Sequence, residues 1–572
     1  MKKFHHAHFT ICHALFAGFF SLSLALLPTT IFSQDSCTEN HRILYLMQSG
    51  DTKTALEMYQ DYYESHQKHD RELLQQIGMV LLDQGYRSSD PETQLLTLFG
   101  AGISANEKTL YIIEEGIKNP QPQLQLVSLN LLMRFQNEYA DEALIQAMSS
   151  PALIIRLECA YHLCEQKMPL AVPQTEALMN KLDKEFLPLF PQFYAMVGDD
   201  RSMKILRRFL ANPDERVRIE TIRCIALYGR DDLLPAVRLL ATHHNFSQLE
   251  TCAAALGVMS DKTSLPRLQE LTSSSCNNVR LAALYALYIL GQRDACAEIA
   301  HHAKTGDLFA INLLGNFPGS EDLLWTLSQT DNTQIRINAA LALLERQDPR
   351  CLPIISTILI PDMRDIALLK LSSRGKSLSS WKVVSSAKEN FAKNSIDYEI
   401  SLAMREELLN KSINLPEKDF LSLAQCLFEK EQNDLIPALV DLLENLQTPD
   451  AIALLKKYQQ KAGAPLIRNY CNLALYRLKE PGNYGETLQS WVLQQQHTDL
   501  IRFRALVPRD LQTANTSYQL TPEETSRLLI GAFEALTQNQ DDHSIHVLLE
   551  AIKNGNPKNK YALAGLLIRA AE

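Results

Sequence analysis

Several histidines and cysteines lie close together in this chain and have the side chains that could bind a metal ion. His243-His244 and His301-His302 are adjacent pairs, and Cys159, His162 and Cys164 lie near one another. Imidazole and thiolate groups are the ligands that zinc prefers. On a helix, however, adjacent histidines point in different directions, and Cys164 turns away from the side that Cys159 and His162 share. We therefore predict no metal site and no bound cofactor.

Familiar catalytic motifs do not occur in this sequence. It contains no Gly-x-Ser-x-Gly, no glycine-rich phosphate loop, no His-Glu-x-x-His and no Cys-x-x-Cys. These motifs supply a nucleophile, a phosphate cradle, a metal site or a redox pair. Carboxylate pairs leave no local motif, so the sequence does not decide whether the protein catalyses a reaction. We predict no catalytic residue.

Arginines recur at one position of a regular pattern. Arg156, Arg218 and Arg280 lie 62 residues apart, each between two apolar residues, and Arg336 and Arg468 lie in similar units. Because these arginines flank core positions, we predict that each guanidinium pairs with turn aspartates of a neighbouring repeat and binds carbonyls between layers. An anion-binding stripe is the alternative.

The pattern returns every 31 residues through the middle of the chain. Half a repeat from the arginines, the residues at this step are apolar: Leu206, Val237, Leu268 and Ile299. A period of this length indicates many copies of one small unit, each of which buries its core only against its neighbours. We predict that these four residues form a continuous hydrophobic spine.

Each unit reads as two helices joined by a turn. Helix-start signals precede the first helix, and Gly-Asp turns such as Gly198-Asp199 and Gly229 to Asp232 separate it from the second. The predicted starts are Asp90-Pro91, Asn119-Pro120, Ser150-Pro151 and Asn212-Pro213. Apolar residues then follow at helical spacing. The fold class is therefore all-α, an α-solenoid of helical hairpins.

Two segments, residues 277–287 and 333–343, carry the pattern Val/Ile-Arg-x-x-Ala-x-x-x-Leu. They resemble the first helix of HEAT repeats in their short bacterial form. The resemblance implies a HEAT-like solenoid and is nearly silent on function, because the matching positions are structural. Repeats of this kind are also similar to those of bilin lyases and related cofactor-handling proteins, so a maturation factor is an alternative.

Lys204, Arg207 and Arg238 lie on second helices, opposite the apolar stripe. In HEAT solenoids such helices commonly line the concave surface, so we predict these three as candidate binding residues for an acidic partner; solvated helix faces are the alternative. The chain as a whole is acidic, with 56 basic and 66 acidic residues and a net charge of −10. This balance argues against nonspecific binding of nucleic acid or anionic lipid.

The N-terminus reads as a secretory leader. Lys2 and Lys3 precede an apolar run from Ile11 to Leu27, which is followed by Pro28 and small residues. This order is typical of a signal peptide. An uncleaved membrane anchor is the alternative, because about 17 to 25 apolar residues can span a bilayer. We predict export to the periplasm or medium, although the unpaired pattern of cysteines suits a reducing compartment better.

The remaining divisions follow from shifts in the pattern. We predict a leader over residues 1–33, a helical cap over 38–89, a HEAT-like solenoid over 90–370, a Ser-rich break or hinge over 371–395, and a divergent HEAT-like part over 396–572. In the cap, Gly50-Asp51 is followed by Ala55-Leu56 and Tyr59, which resembles the second half of a tetratricopeptide repeat. The cap is either a single tetratricopeptide-like hairpin or a generic helical hairpin. The predicted function is an exported scaffold that binds a protein or peptide partner, and the alternative is an anchored structural repeat protein.

Overall fold

A computed structural model describes residues 32–133, 135, 138–360, 366–385, 395–461, 463–502, 520, 522–539 and 541–572. Most of the predicted leader lies outside these residues. The chain divides into two compact units, with the boundary between Ser65 and His66. No helix in the described residues is long and apolar enough to cross a membrane.

The first unit contains two helices, α1 (Phe32–Gln48) and α2 (Thr52–His66). Ala55, Leu56 and Tyr59 lie on one side of α2 and are buried. The rings of Tyr59 and Tyr62 stack with their centroids 6.0 Å apart. These residues carried the predicted tetratricopeptide-like match, whose small residue and aromatic residue therefore lie in a packed helix.

The second unit begins with nineteen α-helices in the described residues before Ile360, most of them two to three turns long. They are α3 (Arg71–Tyr86), α4 (Pro91–Ser104), α5 (Leu110–Ile117), α6 (Pro122–Leu132), α7 (Glu138–Ala147), α8 (Leu153–Glu165), α9 (Ala171–Met179), α10 (Phe190–Val197), α11 (Asp200–Leu210), α12 (Glu215–Leu227), α13 (Leu234–Leu240), α14 (Phe246–Val258), α15 (Leu265–Leu271), α16 (Asn277–Ile289), α17 (Ala295–Lys304), α18 (Leu308–Leu314), α19 (Glu321–Ser328), α20 (Thr333–Glu345) and α21 (Leu352–Leu359).

A two-stranded antiparallel hairpin follows, formed by β1 (Ile366–Ser372) and β2 (Ser379–Ser385). Nine helices complete the described chain: α22 (Ser395–Ser412), α23 (Glu417–Glu429), α24 (Ile436–Leu446), α25 (Pro449–Gln459), α26 (Pro465–Arg477), α27 (Tyr484–Gln495), α28 (Pro522–Asn539), α29 (Asp542–Asn554) and α30 (Lys560–Ala570). The hairpin overlaps residues 371–385 of the segment that we predicted as a Ser-rich break or hinge, and residues 386–394 of that segment lie outside the described residues.

The all-α solenoid is confirmed by the packing of successive helix pairs. First helices contact the first helices of the next repeats, as α12, α14 and α16 do. The predicted spine residues Leu206, Val237, Leu268 and Ile299 are fully buried. Gly198, Gly229 and Gly291 have positive φ angles of 68°, 61° and 101°, so the predicted turns use the left-handed conformation that glycine tolerates.

Predicted helix starts need correction at three of the four Pro-containing signals. Asp90 caps α4 as expected, with its side chain accepting from the amides of Glu92 and Thr93. Asn119, Ser150 and Asn212 instead accept from the amide two residues later, and their helices begin at residues 122, 153 and 215. These side chains close a turn before the helix, as Asn and Ser commonly do.

The last helix of the second unit packs against the first ones. Helix α30 contacts both α3 and α4, and it also contacts α28 and α29. The succession of packed helices in this unit therefore returns to its starting point. We call the contact of α30 with α3 and α4 the closure seam. The sequence pattern did not predict it.

Glycines make the closure seam possible. A Cβ atom on Gly565 would lie 2.0 Å from the carbonyl oxygen of Gly100, and one on Gly100 would lie 2.2 Å from that of Tyr561. On α3, a Cβ atom on Gly78 would lie 2.6 Å from Cγ1 of Ile568. The backbones of α4 and α30 approach too closely for any side chain between them. Burial of Tyr561, Leu567 and their neighbours adds the apolar contribution.

Candidate functional site: the hairpin dock and the aliphatic strip

The β-hairpin lies against the first helices of several repeats. We call the side chains that hold it the hairpin dock: Glu220 of α12, Glu250 and Thr251 of α14, Asn312 of α18, and Gln334 and Asn338 of α20. All of them bond to hairpin residues between Ser373 and Val383. An isolated two-stranded hairpin is at best marginally stable in water, so the helices hold it in place.

The turn of the hairpin is built around the carboxylate of Glu250, a side chain only 1% exposed. It accepts from the hydroxyl of Ser373, from the amide of Gly375 at 3.2 Å, and from the amide and hydroxyl of Ser377 at 3.3 and 2.6 Å. A buried carboxylate needs such donors, because an unpaired charge away from water is costly. Two of the serines that suggested a break, Ser373 and Ser377, therefore donate to one acidic side chain.

Contact with the turn is close on its other side as well. The hydroxyl of Thr251 donates to the carbonyl of Gly375 at 2.8 Å, and Lys376 forms an ion pair with Glu220. A Cβ atom on Gly375 would lie 2.6 Å from the carbonyl oxygen of Ser247. Only glycine leaves enough room for the turn to lie flat on α14 at this point.

Helix α20 binds the outer edge of β2 through two amide side chains. Asn338 donates to the carbonyl of Trp381 at 2.7 Å and accepts from its amide at 2.7 Å. Gln334 does the same with Val383, at 2.9 and 3.0 Å. Residues four apart on a helix are about 6 Å apart along its axis, close to the two-residue rise of a strand. The two side-chain amides thus make the hydrogen bonds that a neighbouring strand would otherwise make.

Apolar side chains complete the contact. Leu368, Leu378 and Trp381 are 4%, 3% and 4% exposed. The ammonium of Lys370 lies 5.4 Å from the centroid of the Trp381 ring, within the range of a cation–π contact. Asn312 donates to the hydroxyl of Ser379 at 3.0 Å. The hairpin is therefore held by backbone hydrogen bonds and by a few buried side chains.

Beyond the hairpin, exposed aliphatic residues recur at the repeat period. Leu227, Val258 and Ile289 end the helices α12, α14 and α16 and are 72%, 57% and 39% exposed. Leu227 and Val258 each lie seven residues after a residue that bonds to the hairpin, and seven residues are nearly two turns. Leu227 thus shares a helix side with Glu220, and Val258 with Thr251. We call these three residues the aliphatic strip.

Two of the predicted binding residues are free to meet a partner, and the third is bound within the fold. Lys204 and Arg207 are exposed on α11. Arg238 of α13 forms a bidentate pair with Asp261, with both N–O distances 2.7 Å. This pair and the hydroxyls of Ser264 and Thr263 lower the pKa of the Asp261 carboxyl far below its ordinary value. A role of Lys204 and Arg207 in binding stays a prediction.

Two of the repeated arginines, Arg218 and Arg280, bind main-chain carbonyls rather than turn aspartates of a neighbouring repeat. Arg218 donates to the carbonyls of Asn212 and Pro213 at 2.7 and 2.9 Å, and to the side chain of Gln248 in the next repeat at 2.7 Å. Arg280 donates to the carbonyl of Ser274 at 2.7 Å. The carbonyls belong to the loop before each arginine's own helix, so the side chain folds back over its own helix start.

The other arginines do not extend this arrangement. Arg336 reaches the hydroxyl of Thr333 at 3.4 Å, Arg468 is exposed, and Arg156 is half-buried with no hydrogen-bond partner for its Nε in the described residues. The five arginines therefore share a position in the sequence pattern and not a common set of contacts.

The candidate metal ligands do not come together. The structure brings no three His, Cys, Asp or Glu side chains of the described residues into one metal-binding group. His243 contacts the amide of Gln248, and His162 lies 3.2 Å from Glu158. Cys159 and Cys164 are buried, and burial raises the pKa of each thiol, to about 12 and about 11. Both thiols therefore stay protonated near neutral pH.

Sequence reasoning missed both the hairpin dock and the aliphatic strip. Glu250 follows Leu249, the residue that replaces the repeated arginine in its unit. A charged residue at this position is normally expected to be exposed to solvent, so its buried carboxylate was not predicted. The strip did carry a signal, because Leu227, Val258 and Ile289 are 31 residues apart, as the spine residues are. Periodicity alone identifies a repeated apolar position and does not tell whether it faces the core or the solvent.

No protein-family model matches this sequence. No curated protein matches it either. Solved structures similar to it include the complex of CpcE and CpcF of phycocyanin lyase from Nostoc sp. PCC7120, with 16% identity, a TM-score of 0.25, and coverage of 43% of this chain and 92% of that chain. The karyopherin Kap121p bound to the extreme C-terminus of the protein phosphatase Cdc14p has 12% identity, a TM-score of 0.37, and coverage of 92% and 64%. Kap95p with RanGDP has 14% identity, a TM-score of 0.32, and coverage of 92% and 70%. At these identities the likeness concerns the helical fold alone.

Proposed function

We propose that this protein is a HEAT-like repeat scaffold that binds a protein or peptide partner through the side of its first helices that carries the hairpin. The observation behind this proposal is the aliphatic strip, in which three successive repeats expose Leu227, Val258 and Ile289. The helices that end in these residues contact one another in succession, and exposed apolar residues grouped on a protein surface are typical of interaction sites.

The strip could contribute a substantial part of the binding free energy. Complete burial of one aliphatic side chain is worth about 1.5 to 3 kcal/mol. The polar hairpin beside the strip supplies hydrogen-bonding groups at the edge of the apolar area, such as those of Lys370, Ser372 and Arg374, all exposed. An apolar centre with a polar rim is the usual composition of a protein interface.

A triple variant, L227S/V258S/I289S, tests this surface. The mature protein and the variant serve as baits in the native cell, and their partners are identified by mass spectrometry. Leu239→Ser is the control, because Leu239 is 65% exposed on the second helix α13. We expect the triple variant to lose a partner that the control retains. Recovery of the same partners by all three baits would refute the proposal.

The second-helix surface is tested separately. Lys204 and Arg207 lie one turn apart on α11 and are exposed. If they contact an acidic partner, the double charge reversal K204E/R207E lowers the recovery of that partner, and the loss is greater at low salt. Unchanged recovery at every salt concentration assigns both residues to a solvated helix face.

Export is the second element of the proposal, and the sequence supports it through the leader-like segment at residues 1–33. A cleaved leader gives a mature protein whose first residue lies shortly after Ser33. N-terminal sequencing of the protein purified from its native cell tests this. An intact apolar segment in that protein would favour the membrane-anchored alternative.

A further inference from the structure

We propose that the hairpin dock is a binding site for an extended polypeptide segment, that the chain's own hairpin is its internal ligand, and that a segment of the partner exchanges with the hairpin. This inference rests on the proposed function, since it names the form in which the partner binds. It concerns the dock, whereas the proposed function is carried by the aliphatic strip.

The first argument is that the dock recognises backbone. Gln334 and Asn338 each bond to both the amide and the carbonyl of one strand residue. Thr251 binds the carbonyl of Gly375, and Glu250 accepts from the amides of Gly375 and Ser377. Every polypeptide segment presents main-chain amides and carbonyls, so most of the dock's hydrogen bonds do not depend on the hairpin's side chains.

The second argument is that polar helix side chains hold the hairpin, whereas apolar packing holds neighbouring repeats together. The core cluster formed by α14, α15 and α16 is apolar. At the dock, by contrast, the helices present two carboxylates, three amides and a hydroxyl. Without partners these polar groups would be unfavourable at an interface between helices, and here the backbone and side chains of the hairpin satisfy them.

The third argument concerns what the dock requires of its occupant. Glu250 needs several donors, which a turn rich in serine and glycine provides, and the close approach to Ser247 requires glycine. Trp381 fills an apolar site and is 4% exposed. A competing segment would thus have a Ser- and Gly-containing loop followed by an extended strand with one large apolar residue. The acidic groups Glu220 and Glu250 disfavour a nucleic acid.

The hairpin has a large advantage over a free competitor because it is part of the same chain. A tethered segment acts at an effective concentration on the order of millimolar. Exchange therefore requires a partner with additional contacts, and the neighbouring aliphatic strip offers them. Occupation of the dock and burial of the strip by one partner would reinforce each other.

The test replaces residues 366–385 in the full-length protein by a flexible Gly/Ser linker of equal length. A fluorescent synthetic peptide with the sequence of residues 366–385 is then titrated into this linker variant, and binding is measured by anisotropy. We expect saturable binding. Adding Asn338→Ala to the linker variant should weaken it about tenfold, because two hydrogen bonds are lost.

Matched controls define the specificity. Asn130→Ala removes an asparagine from another first helix, α6, where its side chain donates to the carbonyl of Leu126 at 3.0 Å, and should leave peptide binding unchanged. A peptide with Trp381→Ala should bind more weakly than one with Val383→Thr. The proposal is wrong if the folded linker variant binds no peptide, or if Asn338→Ala has no effect.

A second measurement on the unaltered chain covers the case in which the linker variant does not fold. Hydrogen exchange is followed at the amides of Gly375, Trp381 and Val383 and at buried amides of α14 and α20. An exchangeable ligand opens locally, so its amides should exchange at least about tenfold faster than those of the helices. Equal rates would mean that the hairpin opens only with the solenoid, which would overturn the inference.

These outcomes separate the two proposals. Peptide binding to the dock, with no partner lost by the strip variant, would support the internal ligand and reject the scaffold function. Loss of a partner by the strip variant, with no peptide binding to the dock, would reject the internal ligand alone.

Discussion

The closure seam and the hairpin dock both join segments that are far apart in the sequence, but they do so with different chemistry. At the seam, α30 meets α4 through glycine backbones and apolar side chains. At the dock, helices hold a hairpin through a carboxylate and amides. Steric fit at the seam is specific to one pair of helices, whereas most hydrogen bonds at the dock go to main-chain groups, which every polypeptide has. The comparison suggests a permanent contact at one place and an exchangeable contact at the other.

The largest effect should come from a side chain added at the seam. In Gly565→Ala, the new Cβ atom would lie 2.0 Å from the carbonyl oxygen of Gly100, so α30 and α4 must separate. We expect a loss of about 3 to 5 kcal/mol in the free energy of unfolding, measured by chemical denaturation. The control is Gly531→Ala on α28, where only the side-chain ends of Arg477 and Leu473 lie nearby, at 3.2 Å. A loss of stability equal to that of the control would show that the seam is not sterically tight.

A smaller effect is expected at the dock from Glu250→Gln. The amide group of glutamine would turn a donor toward the donors of Ser373, Gly375 and Ser377, so part of the turn loses its acceptor. We expect a loss of about 1 to 3 kcal/mol, together with greater exposure of Trp381 in fluorescence quenching. Glu298→Gln on the exposed side of α17 is the control and should change neither. An unaltered Trp381 signal in the dock variant would contradict the role of Glu250.

Acid should lower the free energy of unfolding through protonation of His69. This imidazole is 7% exposed, and its Nε2 lies 3.3 Å from the carbonyl oxygen of Asp542 at the start of α29. Burial lowers the pKa of His69 below its ordinary value of about 6.5; the nearby His546 and Arg71 also lower it, while Asp542 raises it.

Because the folded-state pKa of His69 is depressed, the unfolded chain binds the proton first as the pH falls. The contribution of neutral His69 is therefore complete above about pH 6.5 and decreases as the pH falls below that value. Melting curves between about pH 8 and pH 5 should show a smaller decline for His69→Gln than for the wild type. Parallel declines would assign the acid sensitivity to other groups.

The smallest effect is expected from a surface ion pair beside the seam. The ammonium of Lys558 lies 2.7 Å from a carboxylate oxygen of Glu92, and the two side chains are 56% and 45% exposed. Exposed pairs of this kind contribute about 0 to 1 kcal/mol. Lys558→Ala should therefore change the melting temperature little, and a loss comparable to that of Gly565→Ala would mean that charge, not steric fit, holds the seam.

The sequence predicted the repeated core positions and missed the contacts that occur once. The 31-residue period located Leu206, Val237, Leu268 and Ile299, and all four are buried because each copy of the unit needs the same apolar contact. The predicted domain boundaries stay a prediction. The seam depends on a single match between Gly100 and Gly565, and a period cannot reveal a contact between two different segments.

The candidate site was predicted least well. Arg238 had the right type and spacing for a surface residue, yet Asp261 binds it, because a turn residue one repeat later happens to lie within reach. The hairpin was missed because its serines suggested a break or hinge, and the bonds of Ser373 and Ser377 to the carboxylate of Glu250 are visible only in the structure. Such features depend on pairs of distant residues, which a reading of local patterns does not identify.

The closure seam also constrains the order of folding. Gly100 and Gly565 are 465 positions apart, so the two helices that meet there cannot pair until nearly all the intervening repeats are in place. During synthesis, the apolar side of α3 and α4 that α30 later covers would therefore stay exposed until most of the chain has been made. A ribosome-bound chain lacking α30 should therefore engage chaperones at this surface, and release from them should coincide with the arrival of the last helix.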